Sequence, residues 1–578
     1  MMLVQGFTFH RCYPEQSPAP PSIKLLSYAD DTLLFLHDVA DLQVVAAHLQ
    51  NYSLASNAQI NFHKTCAISL SGHDIAPHWL TAMQQFDITH IWSVADEEAI
   101  RYLGHPLIQS SRQRQAFASH FLWTLRQTVE LQSRRGISVY GRATIANSLI
   151  MSKCWYVLSV LPLPLEFLWN IRTIIASFVT LHIHPVISWY LMVTSKSRGS
   201  LGVIDLFAQQ KALIYRRLDP ILFERSNVLS ISKYVRLHLL NHMNTTIMDM
   251  RLLFPAARSS ALVGASITTV TMIFRAMDAI PRTFLPADRN PIECLLLPIP
   301  AIIQSTTSPY KLAKKLKSVT AGDIFELQAS GFFLSPIPSN RLPNHLTFVA
   351  HRFRQALTRV DCLLRPFFRA CLERTALSLY SQDDRPHIQA MLNLSSFHKD
   401  LHIQPSDDNF AYSQGRTRSF RQMVLEATER RLPATQAIAA SSWKAFWALF
   451  LDHTLRNVFY RLIHHKIPTR LYSSHCNSSD DPRCAICLTV VESMDHFFFY
   501  CEVKQHFWDR LIQECLWPDS PTAFDLLVIF NVALAEVWKA HCRFIFDAVP
   551  STTDSLFTLF QRALTKMQAE DNLPPSAG

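Results

Sequence analysis

The sequence feature that most constrains the fold is a pair of aspartates, Asp30 and Asp31, set between two short apolar runs at residues 23–26 and 32–36. The runs are rich in strand-forming residues, and aspartate is a frequent turn residue. The pattern therefore predicts a tight β-hairpin with both aspartates at its bend and both strands buried. Adjacent carboxylates repel each other unless a cation lies between them, and Mg²⁺ prefers carboxylate oxygen. The pair thus indicates a magnesium site, with a solvated turn as the alternative.

The string Tyr28-Ala29-Asp30-Asp31 between apolar strands resembles the catalytic palm motif of reverse transcriptases, in particular those of non-LTR (LINE-like) retrotransposons. The resemblance implies an RNA-directed DNA polymerase that uses Mg²⁺, deoxynucleoside triphosphates, an RNA template and a DNA primer or target. It implies that Asp30 holds the catalytic metal, that Asp31 supports it, and that Tyr28 lies beside the primer.

Two later segments continue this resemblance. An amphipathic helix expected at residues 38–54 leads to Asn57, where the family usually has a turn glycine, and then to Asn61 and Lys64. The resemblance assigns Asn61 to substrate binding and places the Lys64 ammonium near the leaving pyrophosphate. An exposed lysine after a strand is the alternative.

The next segment, Arg101-Tyr102-Leu103-Gly104, resembles the sequence with which the family closes its palm against its thumb. Gly104 would then let the backbone approach the primer closely, because glycine has no side chain. A plain turn before Pro106 explains the same residues.

A further carboxylate, needed by two-metal nucleotidyl transfer, has no clear candidate before the hairpin. Glu15, in a proline-rich loop, is the only acidic residue before Asp30. We therefore expect an N-terminally truncated member of the family that has no substantial polymerase activity by itself. The alternative function is that of a non-catalytic nucleic-acid-binding remnant.

Basic residues predominate in the predicted helices that follow. The net charge of the chain is +10, which favours polyanionic partners. Phosphate contacts supply most of the sequence-independent affinity for nucleic acid, so a basic helical region suits a thumb that faces a duplex, while a solvated helix face is the alternative. The arginines of this region are Arg112, Arg114, Arg126, Arg134, Arg135 and Arg142.

A second candidate site lies near the C-terminus. The spacing Cys-x₂-Cys-x₈-His-x₄-Cys, formed by Cys484, Cys487, His496 and Cys501, supplies the four ligands of a closed, structural zinc site. Four unliganded side chains in a core are the alternative. The pattern also resembles the zinc-binding module of non-LTR reverse transcriptases. A preceding aromatic stripe from Trp443 is expected to be core and not a base-stacking surface.

The composition predicts a folded and mostly helical chain, because 31 prolines and 12 glycines punctuate the apolar stretches. The expected fold class is α+β: a partial palm with a short antiparallel sheet, then a helical thumb and a helical, zinc-bearing C-terminal region. No signal peptide, membrane segment or obligate oligomer is expected, and the expected location is the nucleus or cytoplasm. The predicted regions are 1–110 (palm), 111–225 (thumb), 226–435 (helical connector), 436–515 (zinc module) and 516–578 (C-terminal helices).

Overall fold

The structure is a computed structural model of the chain. It describes residues 4–7, 22–29, 31–58, 61, 64–181, 183, 185–222, 235, 238–239, 268–280, 282–284, 291–295, 297, 299–305, 319–331, 333–359, 362–364, 368–369, 371–372, 401–403, 416–427, 438–449, 451–478, 480–516 and 523–571. The mostly helical α+β character of the expected fold is confirmed, because helices predominate among the described residues and the strands form small two-stranded sheets. The palm and thumb assignments stay predictions.

The strands pair mostly in antiparallel fashion: β1 with β2, β5 with β6, β7 with β12, β8 with β11 and β9 with β10, whereas β3 and β4 are parallel. Their bounds are β1 Leu25–Tyr28, β2 Asp31–Leu34, β3 Cys66–Ile68, β4 His90–Trp92, β5 Arg101–Tyr102, β6 His105–Pro106, β7 Arg282–Phe284, β8 Ile303–Ser305, β9 Phe325–Leu327, β10 Leu334–Pro336, β11 Cys362–Leu364 and β12 Leu401–Ile403.

Three π-helical turns lie among the described residues, at Ala146–Ile150, His496–Tyr500 and Ile512–Leu516. The helices are α1 Val39–Ser56, α2 Pro77–Gln84, α3 Ser111–Ser133, α4 Val139–Ile145, α5 Ser152–Leu158, α6 Leu165–Thr180, α7 Trp189–Val193, α8 Leu206–Leu222, α9 Thr269–Ala279, α10 Pro291–Leu295, α11 Ile299–Ile302, α12 Asn344–Thr358, α13 Thr417–Ala427, α14 Ala440–Ala448, α15 His453–Ile463, α16 Arg470–Cys476, α17 Glu502–Leu511, α18 Ala523–Asp547 and α19 Thr553–Asp571.

The chain forms two compact units. The first comprises Met1–Ser119, Trp155–Pro164 and Phe207–Glu429, and the second comprises His120–Cys154, Leu165–Leu206 and Arg430–Gly578. Each unit is therefore assembled from segments that are distant in sequence.

In the first unit, a small cluster around Leu42 and Met83 packs α1 against α2 beside the hairpin. A larger core packs α8 and α9 with α12 and α13, and its buried aromatic residues include Tyr215, Phe353 and Phe420. Both cores are apolar, so burial of hydrocarbon surface is their main source of stability.

In the second unit, helix α6 buries the apolar residues Phe167, Ile171 and Ile175. The apolar region 154–179 is divided between α5 and α6. Among the described residues, no helix is both long and apolar enough to cross a membrane.

Candidate metal centre

The predicted hairpin is confirmed, but the expected position of Asp31 at its bend was wrong, because Asp31 is the first residue of strand β2. Strand β1 pairs with β2 so that Tyr28 lies opposite Asp31, and Ala29 adopts a left-handed conformation at the bend. Asp30 lies outside the described residues. The expected burial was wrong: Tyr28 is 68% exposed and Leu25 is 42% exposed, because this two-stranded sheet has no further strand paired to it among the described residues.

Asp41, which sequence reasoning missed, is a buried carboxylate that holds the N-terminal segment against the hairpin. Its oxygens accept hydrogen bonds from the backbone N–H groups of Gln5 (2.8 Å), Gly6 (3.2 Å) and His37 (2.9 Å). Although burial opposes its charge, these hydrogen bonds lower the pKa of Asp41. The only sequence signal was an acidic residue in the first turn of a helix, a position usually occupied by solvated carboxylates.

The segment after α1 adopts the predicted turn. Asn57 ends the helix in the left-handed conformation, as expected for the residue that replaces the family's glycine. Asn61 then accepts a hydrogen bond from the Lys64 backbone N–H through its side-chain oxygen at 3.1 Å. Both side chains are exposed. The substrate roles given to Asn61 and Lys64 stay predictions.

Gly104 lies in the turn of a second small hairpin, between β5 and β6, with φ +78°. Tyr156 covers this turn: its hydroxyl donates to the carbonyl of Leu103, and its ring stacks on His105 with centroids 3.7 Å apart. The plain-turn alternative thus describes the local structure, and the primer contact of Gly104 stays a prediction.

The basic residues of the predicted thumb fall into two groups. Arg126 and Arg135 are exposed, as a nucleic-acid surface or a solvated face requires. Arg142 is not part of such a surface, because it is buried and donates to the carbonyls of Ile137 and Val179. Its assignment to a duplex-facing surface was wrong, since a sequence pattern does not separate an exposed arginine from one that binds a helix end.

The predicted zinc ligands come together in the second unit. The ligand atoms of Cys484, Cys487, His496 and Cys501 all lie within 4.8 Å of one another, and Cys487 Sγ is 3.4 Å from His496 Nε2. A tetrahedral zinc with Zn–S bonds of about 2.3 Å requires sulfurs about 3.8 Å apart. The arrangement fits zinc, and it is the only such group of three or more His, Cys, Asp or Glu side chains among the described residues.

The local backbone explains how these ligands converge. Cys484 lies in a hairpin in which its N–H donates to the carbonyl of Val490 at 2.8 Å, and Leu488 takes a left-handed conformation that closes the Cys-x₂-Cys loop. His496 begins a π-helical turn that ends at Tyr500, directly before Cys501. The wider π turn lets His496 and Cys501 face the same point, a use typical of π turns at functional sites.

Burial and charge at the cluster favour metal binding over free thiols. Cys484, His496 and Cys501 are buried, and Cys487 is partly exposed. A hydrogen bond between the two thiols lowers the pKa of Cys501 to about 7 and raises that of Cys484. Zinc binds the thiolate form and displaces thiol protons, so the lowered pKa of Cys501 favours metal binding.

Aromatic side chains pack against one another around the π-helical turn between His496 and Cys501. Phe497 and Phe498 are buried with ring centroids 4.9 Å apart, and Phe497 also contacts Trp538 of α18 at 5.6 Å. Trp508 donates from its indole nitrogen to the carbonyl of Phe498 at 2.8 Å. These contacts hold the π-helical turn from its apolar side.

Three buried ionisable residues beside the cluster were missed by sequence reasoning. Lys504 Nζ donates to the carbonyl of Phe497 and lies 3.0 Å from His541 Nδ1. His541 Nε2 lies 3.5 Å from Glu492 Oε2. Burial, reinforced by Lys504, lowers the pKa of His541 to about 2, so its imidazole is neutral. No sequence signal could have found this group, because His541 lies 37 residues beyond Lys504 on another helix.

The aromatic stripe before the zinc ligands is core, as predicted, and it is divided between α14 and α15. Trp443 packs on Gly199, where an added Cβ would lie 2.2 Å from the indole ring. His464 Nε2 bonds the carbonyl of Gly199 at 2.8 Å, and Asn457 Oδ1 accepts the N–H of Val139 at 2.6 Å. These helices are thereby fixed to residues 139–206 of the same unit.

The end of α6 is bound by two buried arginines from different segments. Arg461 donates to the carbonyls of Thr180 and Ile183 at 3.3 Å and of Pro185 at 3.2 Å, while Arg142 Nε donates to Val179 at 3.0 Å. The carbonyls at a helix C-terminus carry partial negative charge, so guanidinium groups suit this position.

Two comparisons with known proteins agree with this arrangement. A family model described as zinc-binding in reverse transcriptase matches residues 427–508, which include all four cysteine and histidine ligands. An uncharacterized 149 kDa protein of transposon TX1 from Xenopus laevis is 26% identical over 210 residues, which is 35% of this chain and 15% of that protein. These two matches bear out the expected relation to non-LTR retrotransposon reverse transcriptases and the expected zinc-binding module near the C-terminus.

Proposed function

We propose that this chain is a nucleic-acid-binding part of a non-LTR retrotransposon reverse transcriptase in which a structural zinc braces thumb-like helices. The observation that carries the proposal is the Cys484, Cys487, His496 and Cys501 cluster, located within the segment that matches the family model. Four protein ligands leave no open coordination position, so the metal would organise the fold and would not take part in chemistry.

The buried contacts between the matched segment and residues 139–206 support the bracing role. Arg461, His464 and Asn457 each bond backbone groups between residues 139 and 206, and Trp443 fills the space over Gly199. A zinc finger that reads nucleic acid independently would not need buried bonds of this kind. We therefore assign the module to the support of those parts of the thumb-like region that lie in the same unit, His120–Cys154 and Leu165–Leu206.

For the nucleic-acid role, the proposed contacts are the exposed arginines of the thumb-like region, Arg126 and Arg135. Replacing both with glutamine should weaken binding to an RNA–DNA duplex and reduce the salt dependence by about one unit of slope per lost phosphate contact. The matched control is Arg562→Gln, an exposed arginine of α19. Equal affinity and equal salt slope in the double variant and the parent would refute this surface.

At the hairpin, we propose that Asp30 and Asp31 supply carboxylate oxygens to a Mg²⁺ site, that Lys64 lies near pyrophosphate, and that Tyr28, Asn61 and Gly104 line the substrate path. These roles rest on the motif resemblance and on the confirmed hairpin. Residues 1–29 offer only Glu15 as a further acid, so the chain on its own should bind a primed template without extending it.

Primer extension tests the catalytic part of the proposal. The purified chain is given primed RNA, the four nucleotides and Mg²⁺, with Asp30→Ala as the matched variant. We expect no extension by either protein, with duplex binding preserved in both. Extension by the parent that disappears in Asp30→Ala would show that the chain is a complete polymerase.

A further inference from the structure

Three ionisable side chains are buried beside the zinc cluster, although burying charge is costly unless it is compensated. Lys504 and Glu492 are each only 1% exposed, and His541 is 5% exposed. They come from three elements: Glu492 from the zinc hairpin, Lys504 from α17 and His541 from α18. None of them is a zinc ligand, and His541 lies outside the segment that matches the family model.

Close contacts connect Lys504, His541 and Glu492 in that sequence. Lys504 Nζ donates to the carbonyl of Phe497 and to His541 Nδ1, so the proton of the neutral imidazole is on Nε2, which faces Glu492 Oε2 at 3.5 Å. The other oxygen of Glu492 accepts the backbone N–H of Arg470 at 2.9 Å. A neutral ring therefore separates Lys504 from Glu492, and the two are not joined directly as a salt bridge.

The charge of the metal site explains why a lysine is buried here. Zn²⁺ with three thiolates and one neutral imidazole carries a net charge of −1, and a buried net charge is unfavourable. The Lys504 ammonium donates to the carbonyl of Phe497, the residue after the ligand His496, and the Lys504 backbone N–H donates to the carbonyl of the ligand Cys501 at 2.9 Å. Burial lowers the pKa of Lys504, whereas the thiolates of the cluster oppose this shift. The charge of Lys504 balances that of the zinc site.

We propose that Lys504 is the buried counter-charge of the zinc site, and that His541 and Glu492 are positioning residues that hold its ammonium group there. Helix α18 then belongs to the zinc module, because it supplies His541. This inference rests on the zinc binding proposed above. It adds that zinc affinity depends on residues that do not touch the metal, as is common for groups that surround metal ligands.

The test measures zinc affinity of the full-length chain by competition with a chromophoric chelator, for the parent and for Lys504→Met. We expect affinity to fall about tenfold to a hundredfold. The Co²⁺-substituted variant should keep the absorption bands of three-sulfur, one-nitrogen coordination, since the ligands are unchanged. The exposed Lys444→Met serves as the matched control and should bind zinc like the parent. Unchanged zinc affinity in Lys504→Met would overturn the inference.

A double variant, Glu492→Gln with Lys504→Met, separates the counter-charge role from simple pairing with Glu492. If Lys504 only compensated Glu492, removing both charges would restore zinc affinity and overturn the inference. We expect the double variant still to bind zinc more weakly than the parent, because the charge of the zinc site stays uncompensated. The double variant removes one positive and one negative charge, so the net charge is unchanged. Its zinc affinity can therefore be used for the same test if Lys504→Met alone does not fold. A parent chain that holds no zinc would refute the zinc proposal itself, whereas a zinc-loaded parent with an unaffected variant refutes only the role of Lys504.

Discussion

At Gly199 the backbone comes so close to the indole of Trp443 that a side chain of any size would collide with it. The residue also has φ +79°, a conformation that favours glycine. Gly202 nearby has a similar φ of +67°, but its nearest neighbour is the flexible side chain of Lys196. Comparing alanine substitutions at these two glycines therefore distinguishes the cost of backbone strain from the cost of overpacking against Trp443.

We predict that Gly199→Ala destabilises the protein more than Gly202→Ala does. Both substitutions pay the strain of a left-handed residue, about 1–3 kcal/mol, and Gly199→Ala adds about 1–3 kcal/mol of overpacking against Trp443. Urea unfolding of the two variants and the parent measures this difference. Equal losses would mean that Trp443 does not pack on Gly199.

His464 gives a pH dependence whose sign is fixed by its burial. Burial lowers the pKa of His464 from 6.5 to about 4. The hydrogen bond to Gly199 raises this pKa, whereas the nearby His465 and Lys466 lower it further. Between these two pH values the unfolded chain takes up a proton that the folded chain does not. The stability that the neutral His464 side chain contributes is therefore fully present above about pH 6.5, and it is lost as the pH falls to about 4.

We predict that His464→Gln flattens the loss of stability between pH 6.5 and 4 by up to about 3 kcal/mol relative to the parent. Glutamine retains a donor for the carbonyl of Gly199 but does not titrate. The exposed His475→Gln is the control and should follow the parent curve. Parallel curves for the parent and His464→Gln would show that this imidazole does not set the slope.

The C-terminus of α6 is stabilised by residues distant in sequence. Its last carbonyls are bound by Arg142 and Arg461, and burial together with the nearby Arg461 lowers the pKa of Arg142 to about 10, which leaves it charged near neutral pH. A lysine cannot replace Arg461, because a single ammonium does not span carbonyls on several sides.

We predict that Arg461→Lys destabilises the protein by about 2–4 kcal/mol, since it leaves buried carbonyls without donors. The exposed Arg135→Lys is the control and should change stability by less than about 0.5 kcal/mol. The midpoint and slope of denaturant unfolding provide the comparison. A wild-type midpoint for Arg461→Lys would contradict the role of its guanidinium group.

The elements that could be predicted from the sequence are those that depend on local interactions. The hairpin, helix α1, the left-handed Asn57 and the convergence of Cys484 to Cys501 all involve residues close in sequence, so composition and spacing contain the information. The exposure of the hairpin, the carboxylate of Asp41 and the burial of Arg142 depend on segments that approach only in the folded chain. Periodicity does not report such contacts.

At the scale of the whole molecule, the zinc cluster belongs to a unit built from three separate segments of the chain. The cluster fixes the hairpin and the π-helical turn, and α14 and α15 attach the same segment to residues 139–206. Loss of zinc should therefore loosen helices that contribute no ligand.

We predict that chelation of zinc increases amide hydrogen exchange in α4 and α6 as well as around the ligands, because local opening follows the loss of supporting contacts. Helix α1, in the first unit, is the internal control and should exchange at an unchanged rate. Faster exchange confined to residues 484–501 would contradict the bracing role.

The most direct test of the central claim is the zinc content of the purified full-length chain, measured by elemental analysis for the parent, Cys501→Ser and Cys476→Ser. Cys501 is a ligand of the cluster, whereas Cys476 is an exposed cysteine outside it. The account predicts one zinc per chain for the parent and for Cys476→Ser, and well under one for Cys501→Ser. A parent without zinc, or zinc that is retained in full by Cys501→Ser, would contradict it.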